Sequence, residues 1–244
     1  MTNKAVAERY KPGAEQKFDM LGSFIRHGLT QEEASGEALL QVMAGSDTSA
    51  TTIRIVLLNL LTIPRAYQRL QKEIDDAIAA AKISSPIKNS EGKDLVYLQA
   101  VIKEALRMNP PASGPFFKQV PPGGDVIHGI FVPAGTQIGS SAFSIHHSKT
   151  IFGEDADVFR PERWLEETDQ ARLAKMTSTV DLVFHYGKYQ CLGRPVALME
   201  FNKIFVEVRI RRLDFPDPPT SADLRHSYFG DSTFLLPTRR NRQK

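Results

Sequence analysis

The stretch from Thr30 to Thr62 limits the fold of this chain more than any other. It opens with "TQEE", a capping box: the Thr30 hydroxyl can accept from the Glu33 amide while the Glu33 carboxylate reaches back to the Thr30 amide. No proline follows until Pro64, so one helical pattern can run for about 33 residues, roughly 50 Å at 1.5 Å per residue. That is long for a globular helix. Its second half, "TTIRIVLLNLLT", is apolar nearly all round, so the helix is expected to cross a domain interior.

The middle of this helix works against itself. Residues 44–49 read "AGSDTS", and glycine costs about 1 kcal/mol relative to alanine in a helix interior, with Ser, Asp and Thr also poor. Such a conflict is expected where a helix opens for a ligand, and Asp47 and Thr48 would then offer a carboxylate and a hydroxyl to a pocket as a short proton path. The alternative is a solvated face whose side chains bond back to the helix. The hexapeptide alone leaves both open.

Around this helix the pattern is mostly helical. Pro64 suits a first helical turn, and "RAYQRLQKEIDDAIAAAK" places Tyr67, Leu70, Ile74 and Ile78 on one face. Residues 83–93 read as a surface loop, Asp94 as the cap of "LVYLQAVIKEALRMN", and Pro110–Pro111 as its stop. "FFKQV", "DVIHGIFV" and "TQIGSSA" are short β-type runs between "PPGG" and "PAG" turns. Residues 149–183 read as an irregular loop, and a last helix runs from Pro195 to about residue 209. The expected class is mainly α with a small β-sheet region, preceded by a flexible leader over residues 1–17.

Composition narrows the functions. At 244 residues the chain can bury a full core, and 41% apolar with 24% charged residues is ordinary for a globular protein. A net charge of +3 with scattered basic residues gives no nucleic-acid surface. The single cysteine excludes a disulfide scaffold and a thiolate zinc site. No signal peptide and no run of eighteen apolar residues occurs.

Cys191 lies in "FHYGKYQCLGRPVA", between Gly187 and Gly193 and just ahead of Pro195. Free cysteines are usually small buried hydrophobes. Here the glycines allow tight turns and close approach to a flat cofactor. Backbone N–H groups and a following helix N-terminus favour a thiolate, which can serve as an axial haem ligand. Glu104 and Arg107 are three apart and share a helix face, most often a weak exposed pair. "FRPERW" adds Arg160, Glu162 and Arg163. The adjacent His146 and His147 point in different directions and make a poor metal pair.

Taken in order, "AGSDTS", "KEALR", "RPERW" and F-x-x-G-x-x-x-C-x-G resemble the C-terminal half of a cytochrome P450. The flanking "DMLGSFIRHGL" and "PPGGDVIHGIFVPAGTQI" are most similar to fungal microsomal members of the pisatin-demethylase type. The resemblance covers residue 18 to the end and implies a partial P450 domain over 18–244, with the family's N-terminal half absent. It makes Cys191 the proximal thiolate of haem b and hence the metal ligand. Ala44 and Gly45 would open the helix for dioxygen, Asp47 and Thr48 would deliver protons, and Phe184 would pack near the sulfur. Glu104, Arg107 and Arg163 would hold the cysteine loop through a charge network. The family commonly places arginines for the haem propionates where this chain has Tyr189 and Lys118, with Lys188 close by.

The implied activity is monooxygenation of a lipophilic small molecule in fungal secondary or xenobiotic metabolism. Dioxygen would be a substrate, and electrons would come from NADPH through NADPH–cytochrome P450 reductase. Substrate would meet the long helix, residues 112–117 and the tail near 231–234. Full-length relatives are endoplasmic-reticulum membrane proteins whose anchor lies in the N-terminal half, which leaves a soluble cytoplasmic location open for this chain. The alternatives are a non-catalytic remnant and a haem-binding protein without oxygenase turnover.

Overall fold

A computed structural model describes residues 2–210, which form two compact units, Met1–Ala50 and a second starting at Thr51. The expected tail site near 231–234 lies outside the described residues. In the first unit α1 (Thr2–Arg9) stands where the sequence suggested a flexible leader, with Val6 buried. Helix α2 (Met20–Arg26) is capped by Asp19, which accepts from the Gly22 amide at 2.7 Å. Both Arg9 guanidinium nitrogens donate to Asp19, at 2.7 and 3.0 Å. These bonds, joined by that of Gly22, hold the Asp19 carboxyl at about 2. The Tyr10 hydroxyl donates to the Leu29 carbonyl at 2.7 Å and ties α1 to the entry of the next helix.

That helix, α3 (Gln31–Thr62), is the long one. Its capping box is formed as read, with Thr30 N to Glu33 Oε2 at 2.8 Å and Glu33 N to Thr30 Oγ1 at 3.2 Å. In the first unit its large apolar residues are not interior: Leu39, Leu40, Val42 and Met43 are exposed, and Ala34 is buried. In the second unit Thr52, Val56 and Leu60, spaced by four, are buried.

Helix α4 (Pro64–Ala79) buries Ala66, Leu70, Ile74 and Ala77. The apolar stripe is shifted from the expected one: Ile78 is exposed, Tyr67 is half-buried against the core, and Ala66 and Ala77 are buried instead. Part of the expected surface loop is α5 (Asn89–Lys93), and Asp94 is its C-cap rather than an N-cap. The following α6 (Val96–Met108) is capped from a distance, since the Glu73 carboxylate accepts from the Tyr97 and Leu98 amides at 2.7 and 2.9 Å.

Two antiparallel pairs follow. β1 (Lys118–Gln119) pairs with β4 (Gln137–Ile138), and β2 (Asp125–Ile127) forms a hairpin with β3 (Ile130–Val132). The hairpin turns at His128 and Gly129, both with positive φ, the form that matches strand twist. Short helices α7 (Ala142–His146), α8 (Lys149–Phe152) and α9 (Arg163–Glu166) precede α10 (Gln170–Asp181) and α11 (Arg194–Ile210). Residues 149–183 are therefore largely helical, a correction to the irregular loop expected there. Asp169 caps α10 by accepting from the Ala171 and Arg172 amides.

Helix α6 is the centre of the second unit. Leu98, Val101, Ile102, Ala105 and Leu106 are buried against α4, α10 and α11, with Phe152, Trp164, Met176, Phe201 and Phe205 filling the surroundings. Each large apolar side chain so placed contributes about 1.5–3 kcal/mol. Gly92 of α5 lies so close to α11 that an added Cβ would stand 2.6 Å from the Asn202 carbonyl oxygen.

Candidate functional site

Helix α6 turns one wholly buried carboxylate, Glu104, into the hub of a polar network. Oε1 accepts from Arg107 Nη2 (2.8 Å), Arg163 Nε (2.9 Å) and the Arg160 amide (2.9 Å). Oε2 accepts from Arg107 Nε (3.0 Å) and Trp164 Nε1 (2.9 Å). Most of the remaining guanidinium bonds go to main-chain carbonyls, from Arg107 to His146, Ala156 and Val158 and from Arg163 to Phe152, Asp155 and Val158, and Arg163 Nη1 also donates to the Asp155 carboxylate at 3.0 Å. A carboxylate this deep is tolerated because both lone-pair sets are satisfied and two cations balance it. Glu104, Arg107 and Arg163 are thus brought together, and buried rather than exposed. Trp164 and the Arg160 amide complete a set the sequence did not reveal.

A second carboxylate, Glu162, sits beside this network. It accepts from the Tyr97 hydroxyl at 2.9 Å and pairs with Arg65 and Arg69 at 3.2 and 3.4 Å. Burial pushes Glu162 up, but hydrogen bonds from its backbone and Tyr97, with the two arginines, carry it below the usual value. Burial and the Glu162 bond push the Tyr97 phenol well above its ordinary range. His146 and His147 are structural: His146 Nε2 meets the Thr179 carbonyl, and His147 bridges Asp157 and the Met108 carbonyl. Among the described residues no cluster of three metal-ligating side chains exists.

The cysteine loop follows α10. The Cys191 amide donates to the Phe184 carbonyl at 2.8 Å, which closes residues 184–191 into a tight loop. Within it Gly187 has φ +68 and no atom near the space a Cβ would fill, while a Cβ on Gly193 would stand 3.8 Å from Cys191 Sγ. His185 has φ 61 and ψ −173, a region that essentially only glycine occupies. Its ring meets Phe116 edge-on at 4.1 Å. Phe184 is buried, and Arg194 lies 5.3 Å from its ring centroid and pairs with Asp181 at 2.9 Å. Cys191 itself is exposed, in a neighbourhood where Leu192, Tyr186 and Val196 are also exposed.

Strand β1 and its lead-in run beside this loop. Phe116 and Lys118 alternate onto one face. Phe116 touches His185, and Lys118 Nζ lies 4.0 Å from the Tyr189 ring centroid. Lys118 and Tyr189 are therefore in contact, as a cation over a ring.

Ala44, Gly45, Asp47 and Thr48 belong to the first unit. The helix does not open there: α3 is unbroken through residues 44–49. The Ser46 and Thr48 hydroxyls donate to the Val42 and Ala44 carbonyls at 2.6 and 2.8 Å, so these side chains bond back to the helix, one of the two readings the hexapeptide left open. Asp47 is exposed.

The sequence profile of the family described as Cytochrome P450 matches residues 2–242. The chain belongs to the cytochrome P450 family. It is 46% identical over 227 residues, 93% of its length, to the cytochrome P450 monooxygenase ABA1 of Pyricularia oryzae. It is also 46% identical over 233 residues to aba1 of Botryotinia fuckeliana, and 36% over 186 residues to a pisatin demethylase of Fusarium vanettenii. The alignments cover 95% and 76% of this chain. They take in 44%, 46% and 35% of the three relatives, so this P450 chain spans less than half their length.

Cytochromes P450 use haem iron with a thiolate ligand, and the donor set here suits that group. One exposed thiol stands in a loop kept open by Gly187, with exposed apolar side chains around it and the Lys118 ammonium over Tyr189 at its edge. Exposed apolar surface of this kind is normally covered by a ligand or partner.

Proposed function

We propose that this P450 chain is a haem-thiolate monooxygenase, or the C-terminal part of one, acting on a lipophilic small molecule. The observation that carries the reading is the closed loop that leaves Cys191 Sγ exposed between two glycines while the Cys191 amide is tied to Phe184. Haem b, once bound, supplies the iron that activates dioxygen for transfer of one oxygen atom to substrate. Cys191 would hold the iron, Gly187 and Gly193 would admit the macrocycle, and Phe184 would shield the sulfur. Lys118, with Tyr189 against it, would stand at the propionates. Ala44 and Gly45 would border the dioxygen side, with Asp47 and the Thr48 hydroxyl supplying protons there. Glu104, Arg107 and Arg163 would act through the backbone they clamp.

Electrons would come from NADPH through a reductase of the endoplasmic-reticulum membrane. No described helix is long and apolar enough to cross a membrane. The names of the fungal relatives support a role in secondary or xenobiotic metabolism.

A carbon-monoxide difference spectrum of the reduced, haem-reconstituted chain tests the reading. A thiolate-type Soret band that is lost in Cys191→Ala is the expected outcome. No haem uptake, or a band unchanged by the substitution, overturns it. In haem-loaded protein Thr48→Ala is expected to divert electrons to peroxide, and unchanged coupling would remove Thr48 from the proton path.

A further inference from the structure

Two lysines converge on one ring of the cysteine loop. Lys118 Nζ lies 4.0 Å and Lys188 Nζ 5.7 Å from the Tyr189 ring centroid. Among the described residues neither ammonium comes within 4 Å of a carboxylate. Lys11, Lys17, Lys72, Lys88 and Lys149 each do. The backbones behind the pair are fixed, since Lys118 is in register with Ile138 of β4 and Lys188 is in a single 3-10 turn, Gly187–Tyr189.

Like charges gathered this way repel. What offsets the repulsion is the negative face of the ring, and what would complete the balance is an anion. A lysine is a flexible point charge that lacks the planar fork of arginine. Resting the ammonium on a ring limits its freedom before the anion arrives, so less ordering remains to be done on binding.

We propose that Tyr189 is a positioning residue whose ring face, not its hydroxyl, holds Lys118 and Lys188 for the carboxylates of the bound porphyrin. This rests on the haem reading above. It gives one aromatic ring and two lysines the task for which the family commonly uses arginines, and makes Lys188 a partner equal to Lys118.

The test is titration of the 244-residue chain with hemin and with hemin dimethyl ester, whose propionates carry no charge. The wild-type chain is expected to prefer hemin. Tyr189→Phe keeps the ring and is expected to stay within about twofold of wild type, whereas Tyr189→Leu loosens hemin about three- to tenfold and leaves the ester unchanged. In a Lys118→Met/Lys188→Met background hemin falls to the affinity of the ester, and Tyr189→Leu adds nothing further. Phe binding as weakly as Leu would assign the task to the hydroxyl and overturn the proposal. Equal loosening of hemin and ester by Leu would reduce Tyr189 to a loop-stabilising residue and overturn it as well. If neither porphyrin binds with a Cys191-dependent Soret band, the haem reading fails and this proposal falls with it.

Discussion

Replacing Glu104 by glutamine removes one charge and one acceptor and almost no volume, so its effect isolates the buried network. The carboxylate accepts five hydrogen bonds, three on Oε1 and two on Oε2. Glutamine keeps one oxygen. In its better orientation the amide oxygen retains the Arg107 Nη2, Arg163 Nε and Arg160 contacts, and the amide nitrogen then faces Arg107 Nε and Trp164 Nε1. Two buried donors lose their acceptor, at about 1–3 kcal/mol each. Two buried guanidinium groups also lose their shared counter-charge, a change that typically costs about 3–5 kcal/mol. The two figures describe one loss from two sides, so the expected destabilisation is about 3–5 kcal/mol rather than their sum. Against a domain stability of about 5–15 kcal/mol that is a large fraction. At about 2–4 °C per kcal/mol for a chain of this size, Tm should fall by about 6–20 °C. Thermal and urea unfolding followed by circular dichroism read it directly. Trp164→Phe, which removes one donor and leaves the ion pairs, should cost clearly less. A Glu104→Gln variant within about 1 kcal/mol of wild type would refute the assignment of Glu104 as hub.

Three further substitutions probe other parts of the chain. At His185, with φ 61 and ψ −173, Gly should be more stable than Ala by about 1 kcal/mol, because both lose the Phe116 contact and only Ala keeps the strained Cβ; an Ala variant as stable as Gly in urea would remove the strain. Burial lowers the His146 imidazole below its ordinary 6.5, so as pH falls the unfolded chain takes up that proton first. The stability is whole above about pH 6.5 and is lost below it, down to the folded-state value, at up to about 1.4 kcal/mol per pH unit. His146→Phe should flatten Tm between pH 6.5 and 5, and an unchanged slope would clear His146 of the effect. Glu73→Ala strips the first turn of α6 of its acceptor and should cost about 1–2 kcal/mol by urea midpoint; no shift would mean water replaces the cap.

Local chemistry was readable wherever its partners are close in sequence. The Thr30–Glu33 box, the Pro64 start and the short β-type runs were foreseen for that reason, though not how the runs pair. Helix α6 was foreseen too, but not its cap, because Glu73 stands 24 residues before Tyr97 and the nearby Asp94 looked sufficient. Helix α10 did have a local signal, Asp169 ahead of Leu173, Met176 and Val180, masked by a polar stretch with little apolar periodicity. At "AGSDTS" propensity suggested a break, but the helix runs through it, with the Ser46 and Thr48 hydroxyls bonded back to its carbonyls. Of the site, spacing alone gave Glu104 with Arg107. Arg163 and the cysteine loop came through the family pattern, and the pairing of Phe116 with His185 and of Lys118 with Tyr189 joins segments about seventy residues apart that no local rule connects.

Arg107 and Arg163 hold the path from His146 to Val158 by its carbonyl oxygens. Every amino acid supplies that oxygen, whatever its side chain. Exposed positions along the path, such as Glu154 and Val158, can therefore exchange letters while the grip persists, whereas a change of either arginine releases several contacts at once. In a set of variants, the exposed positions of this path should tolerate change, whereas Arg107 and Arg163, which lie outside it, should not. The instructions for its shape are written 39 to 51 residues upstream, in Arg107, and just beyond its end, in Arg163.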